Sequence, residues 1–341
     1  MEISMIELKD IERTLKPRWV KRATYIDNTK DGAPRPSMDK VLAYNSYAPR
    51  ETSDTAIRYI DKNDYLAVAL HEECIAILSA LEGRASWLDE LAFTLRYYLF
   101  YHRLDYFWHT QTTHFENGDG LQMINFERAV NSMAYAFMLG WTDAAIYQGY
   151  LSYAVLNQSH QLMRYGVGHK HAHTFMLRLF ADWRGNDVNH PFLNWAYEVP
   201  LYEGLLQHWR TPDPEVIAPW LQAACEYHAH HAKQDTSRTF FDFGDFRIMR
   251  TPLEIHMILR LRELSGLANP NITHELMAPP FDRLLPAQPV LPPDELMLGT
   301  LKRVREEWPN FEEVTALKTL IKVPAKPWRY SEQEAKKQLG L

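Results

Sequence analysis

Histidine is the residue type with the most chemistry to offer here. There are fifteen, and two groups stand close together, His169-Lys170-His171-Ala172-His173 and His228-Ala229-His230-His231. On helices His169 and His173 share a face, as do His228 and His231. A pair from each group could hold zinc, iron or copper through imidazole. A catalytic metal site usually adds a carboxylate at defined spacing, and the sequence has no His-Glu-x-x-His, no paired Glu-x-x-His and no His-Asp dyad. Structural histidines, hydrogen-bonded or exposed, are therefore the expectation, with no metal and no other cofactor. A helical metal-dependent enzyme using His169, His173, His228 and His231 is the alternative reading.

Other catalytic signatures are missing. There is no Gly-x-Ser-x-Gly elbow, no phosphate loop ending in Gly-Lys-Ser/Thr and no Gly-x-Gly-x-x-Gly after a strand. Carboxylate pairs such as Glu72-Glu73 and Asp242/Asp245 could do acid-base work if buried, but neighbouring acids usually form a solvated face. The sequence is thus expected to encode no enzyme.

The chain has 341 residues, 46% of them hydrophobic, and a formal charge of -6. That is enough apolar material for a sizeable core without staples, and Cys74 and Cys225 read as buried, reduced thiols. The opening residues mix acids with apolar side chains and do not form a secretion signal, and no stretch approaches the roughly 20 apolar residues of a membrane span. A cytoplasmic protein without membrane association is expected. The acid excess is concentrated between Glu51 and Glu90, where Asp61, Asp64, Glu72 and Glu73 lie. The mildly basic ends are interrupted by acids, so nucleic acid is not an expected partner.

These residues must be positioned by helices. From Ser86 to Trp108, Leu88, Leu91, Leu95 and Leu99 form one apolar line, and Phe93, Tyr97, Phe100, Tyr101, Leu104 and Phe107 fill a second. Such a helix should be buried on more than one side. Phe126 to Gly140 reads as the second arm of an aromatic hairpin, with Asn117-Gly118-Asp119-Gly120 as the turn between. Further helices are predicted at Ile57–Leu81, from Thr142, at His169–Trp183, at Tyr197–Trp209, after the Asp213-Pro214 cap, from Thr251-Pro252 to Gly266, and at Asp294–Trp308. Thr239 to Phe246 alternates like a short strand, but no comparable strand is visible to pair with it, which favours an aromatic loop. Prolines from Pro279 to Pro293 imply an extended strap.

The expected fold is all-α, a compact array of helical hairpins in two successive modules, with the aromatic loop or short strand and the Pro-rich C-terminal strap. The division expected is an irregular lead-in at 1–56, modules at 57–187 and 188–278, and the strap with a terminal helix at 279–341.

Within that order, Leu95-Arg96-Tyr97-Tyr98-Leu99-Phe100 with Tyr106-Phe107-Trp108, followed by Ala129 to Leu139-Gly140, resembles the N-terminal module of the PoNi-like immunity proteins. These belong to bacterial polymorphic and type VI secretion toxin systems. The helix Trp220 to His231, the aromatic loop Phe240 to Phe246 and the helix carrying Glu254 resemble the layout of their C-terminal module. The resemblance implies an all-helical cytoplasmic protein that neutralises a cognate toxin, a nuclease effector, by stoichiometric occlusion. A nuclease must hold a polyanion, so an inhibitor covering its active face needs acids. Asp61, Asp64, Glu72 and Glu73 are the first candidates for that surface, Asp242 and Asp245 the second. Self-association of the immunity protein is compatible with the same reading.

Overall fold

A computed structural model describes residues 8–27, 34–46, 62–112, 125–158, 171–185, 199–234, 236 and 241–324. Among them the regular structure is helical and no strand forms. The helices are α1 (Leu8–Asp27), α2 (Pro34–Asn45), α3 (Lys62–Leu81), α4 (Trp87–Thr112), α5 (Phe126–Met138), α6 (Thr142–Gln158) and α7 (His171–Arg184). They continue with α8 (Pro200–His208), α9 (Pro214–His231), α10 (Leu253–Leu264), a 3-10 turn at Glu275–Met277, α11 (Glu295–Glu307), α12 (Phe311–Val314) and α13 (Leu317–Leu320).

The chain divides into two compact units, neither contiguous in sequence. The first holds residues 1–16, 125–287 and 324–341, the second 17–124 and 288–323. This is a different partition from the successive blocks 57–187 and 188–278. The two arms of the expected aromatic hairpin fall in different units: α4 packs along α3, while α5 packs on α6 and α10. The turn residues Asn117 to Gly120 lie outside the described residues.

In the first unit α10 is the central element, flanked by α5, α7 and α9. Every residue from Thr251 to Arg262 is buried, the charged or polar Glu254, His256, Arg260 and Arg262 together with the apolar side chains between them. Its expected threonine cap does not form: Pro252 occupies the cap position without a side-chain bond. The cap at Asp213 does, its carboxylate accepting from Glu215 N at 3.0 Å. α5 starts on Asn125, which accepts from Arg128 N, and ends at Gly140, where φ is +75° and Trp141 N reaches Ala136 O at 2.8 Å. A Cβ on Gly140 would stand 2.6 Å from that of Ala287, so close packing as well as φ requires glycine there. The aromatic stretch after α9 is irregular from Phe241 on, as the loop reading expected, and Pro279 to Pro293 carries no helix.

The second unit is built on the long α3–α4 pair, with α2 and α11 packed together beside Tyr65 and Phe311 in one core. α4 is buried around most of its circumference. Its aromatic line meets Phe311 and Trp308 edge-on through Phe107, with ring centroids 5.0 and 5.8 Å apart. α11 starts on Asp294, whose carboxylate accepts from Met297 N at 3.0 Å. Among the described residues, no helix is long and apolar enough to cross a membrane.

Candidate functional site

The richest group of ionisable side chains lies in the first unit, where α7, α8, α9 and α10 meet the loop that follows α9. On α9 the buried line Ile217, Leu221, Ala224 and Cys225 continues into His228, which places that imidazole on the core face. On α10 the second residue is Glu254, wholly buried near the positive end of the helix, where a carboxylate is favoured. His228 Nδ1 and Glu254 Oε1 are 2.7 Å apart, His228 Nε2 is 3.2 Å from the carbonyl of Met249, and Phe243 stacks on the ring at 3.6 Å.

This geometry settles the use of the ring. A carbonyl can only accept, so Nε2 donates to Met249, while Nδ1 faces the Glu254 carboxyl. Both ring nitrogens are thus engaged within the protein. The other oxygen, Glu254 Oε2, is buried without a hydrogen-bond partner among the described residues.

A second carboxylate, Asp242, is buried nearby. Tyr227 donates its hydroxyl to Asp242 Oδ2 at 2.7 Å, and His171 Nδ1 lies 3.8 Å from the same oxygen. Burial and then the Asp242 charge push the Tyr227 phenol far above its ordinary pKa. Tyr202 of α8 is raised too, by burial first and then by Asp242 and Glu254, so this phenol stands in the field of both acids. It stacks on Phe175 at 4.7 Å and meets Tyr227 edge-on at 5.3 Å. His231 stacks on Tyr227 at 3.9 Å, and burial followed by His171 and Lys233 lowers its pKa to about 4. Burial likewise pushes the Cys225 thiol up, away from reactivity.

The residues expected to face a partner are placed differently from an acidic surface. Asp64 and Glu73 are 4% and 3% exposed, and Glu73 accepts from the Tyr98 hydroxyl at 2.6 Å. Lys40 Nζ lies 3.8 Å from Asp64. Glu72 is partly exposed beside His71, and Asp61 lies outside the described residues. Asp242 is buried as above, and Asp245 binds the main chain and guanidinium of Arg247. Density of acids along the sequence was a poor guide because Glu73 continues the buried stripe Tyr65, Ala69, Ala76, Ala80. Asp64, Glu72 and Glu73 belong to the second unit, Asp242 and Asp245 to the first.

Of the histidines, His173 is wholly buried on α7, and His169 lies outside the described residues. Among the described residues no three His, Cys, Asp or Glu side chains are arranged to hold a metal ion. Sequence reasoning missed the roles of Glu254, Tyr227 and His171. The signal for Glu254 was its position inside the apolar run Leu253, Ile255, Met257, Ile258, where a charge needs a partner.

The solvent side of α9 is an exposed acidic face of this unit. Glu215, Pro219, Ala223 and Glu226 are exposed at helical spacing, with Asp213 at the cap and Val216 41% exposed beside them. No lysine or arginine occurs from Thr211 to Ala232. His274 Nε2 lies 3.3 Å from Glu226, and the exposed Glu275 follows it.

Compared with known proteins, the chain matches no family model, no curated protein and no solved structure.

Proposed function

We propose that the protein is an immunity protein that binds a cognate antibacterial toxin, a nuclease effector, and neutralises it by stoichiometric occlusion, with the solvent side of α9 as the contact surface. The observation that carries this reading is that face: Asp213 and Glu215 beside Val216, with Glu226 nearly three turns further along α9, without an intervening lysine or arginine. Such a surface complements a basic, polyanion-binding face, steering encounter while the apolar residue anchors contact. The interior supports a binding role, since His228, Asp242 and Glu73 are engaged by neighbouring side chains and main chain. The order of α9, aromatic loop and α10 is also the layout that resembles the PoNi-like C-terminal module. The surface differs from the one the acid-rich segment suggested, because Asp64 and Glu73 are interior.

Co-expression with the toxin encoded beside this gene tests the reading. Growth is expected to be rescued and an equimolar complex to copurify. Glu215→Lys combined with Glu226→Lys should weaken the complex at least tenfold at low salt, as expected for close charge pairs. A harmless neighbouring gene, or a toxin that does not bind, overturns the function. Rescue with undiminished affinity in the double variant overturns the surface alone.

A further inference from the structure

The segment from Leu276 to Ala287 crosses α10 as a strap. Leu276, Met277, Phe281 and Leu285 are buried, while Asp282, Arg283, Pro286 and Ala287 are exposed. Three side chains on or just before α10 meet it in turn. Arg250 donates to the carbonyl of Leu276 at 2.7 Å and lies 5.3 Å over the Phe281 ring; Arg260 donates to the carbonyl of Leu285. Between them His256, wholly buried, meets Phe281 edge-on at 6.2 Å.

The arginines and the histidine do opposite things. A guanidinium keeps its charge and ties down carbonyls. His256 is enclosed with neither ring nitrogen in a well-aligned hydrogen bond, so it fits the closed strap only while neutral. We propose that the Leu276–Ala287 strap is an acid-released latch, closed over a neutral His256 and opened when that imidazole takes up a proton.

The groups acting on His256 are consistent with this device. Burial is the largest influence and lowers its pKa to about 4; the main chain of Phe281 and the exposed Asp282 on the strap favour a proton, and Arg260 on its own helix opposes one. The neighbours of α10 direct their charges elsewhere: His228 of α9 to Glu254, Arg178 of α7 to Glu203, Asp182 of α7 to Arg210. α5 offers the carbonyls of Phe137 and Met138, both taken by Arg260. His274, at the entry to the strap, accepts from Leu276 N at 3.0 Å.

An imidazole that titrates near 6.5 in water and about 4 under the strap binds more protons in the open state between those values. The open population should therefore rise as pH falls, by roughly 10- to 30-fold from pH 7.5 to pH 5.

Hydrogen exchange on the full chain tests this. The reporters are the amides of Met277, Ala278 and Phe281, each hydrogen-bonded within the strap region at 3.0 Å. Their protection factors, corrected for intrinsic exchange, should fall by that factor at pH 5 while those of α5 hold. His256→Gln, which cannot take up the proton, should remove the dependence, and His256→Phe provides a second, apolar variant. Constant strap protection in the native protein overturns the latch. So does loss of α5 protection together with the strap, which would be unfolding of the unit, or a pH dependence that persists in both variants, which would belong to a group other than His256.

Discussion

Both units use phenols for interior polar groups, Tyr153 and Tyr227 among them in the first, but buried guanidiniums set the first unit apart. Among the described residues the buried arginines, Arg250, Arg260 and Arg262, all belong to the first unit. The second unit uses tyrosines, Tyr44, Tyr65, Tyr97, Tyr98 and Tyr101, with its arginines part-exposed at the rim. Arg262 donates to the carbonyls of Trp209, Thr211 and Ala268, joining the end of α8 to the loop after α10. Tyr98 and Tyr101 each reach one carboxylate, Glu73 and Asp105, with their rings left in the apolar core. A guanidinium has five donors and can gather carbonyls from converging loops, whereas a phenol supplies one donor on a large apolar body. The difference follows from architecture: loops converge on the ends of α10, while α3 and α4 run side by side and need only single cross-links.

If this contrast is right, the largest effect should come from Arg262. Arg262→Met keeps an apolar stem but removes the donor from all three carbonyls, that of Trp209 in a buried bond and those of Thr211 and Ala268 in part-buried ones; a stranded buried acceptor costs about 1–3 kcal/mol and a part-buried one less. Urea denaturation should show a loss of about 3–5 kcal/mol, provided the variant folds. A loss below about 1 kcal/mol would mean that water replaces the guanidinium and the contrast is empty.

Next comes the buried pair. Glu254→Leu or His228→Phe alone leaves one partner stranded and should cost about 2–4 kcal/mol, whereas the two together should cost less than the sum of the single changes. The strap should respond little to this pair, because Glu254 serves α9 rather than Phe281. A strictly additive double variant would show that the two side chains are not coupled.

Much of the fold was legible because its signals are local. Asp213-Pro214 and Asp294 mark helix starts, Gly83, Gly140 and Gly266 mark ends with φ of 69°, 75° and 72°, and the apolar periodicity of α4 and α10 marks burial. The pairing of helices was not legible. α4 and α5 follow one another and look like a hairpin, yet the choice of α3 by α4 and of α10 by α5 depends on complementary surfaces far apart in sequence. The site failed for the same reason. His228 and Glu254 are separated by 26 residues and an irregular loop, so no motif connects them. Their coupling is created by the return of α10 against α9. The buried acids misled because charge counted along a chain says nothing about which helix face it occupies.

The smallest effects belong to the second unit and sharpen the contrast most. Tyr98→Phe removes the donor to buried Glu73 and should cost about 1–2 kcal/mol. Tyr97→Phe should cost only about 0.5 kcal/mol. Its partner Asp294 is 27% exposed and keeps Arg96 at 3.1 Å and Met297 N at 3.0 Å. Burial, and then the Asp294 charge, hold the Tyr97 phenol protonated well beyond its ordinary range, so neither variant should introduce a pH dependence near neutrality. Thermal unfolding at pH 6, 7 and 8 provides the check. If Tyr97→Phe destabilised as much as Arg262→Met, a single phenol would be holding its unit as firmly as a three-way guanidinium holds the other, and donor number would not be what distinguishes the two cores.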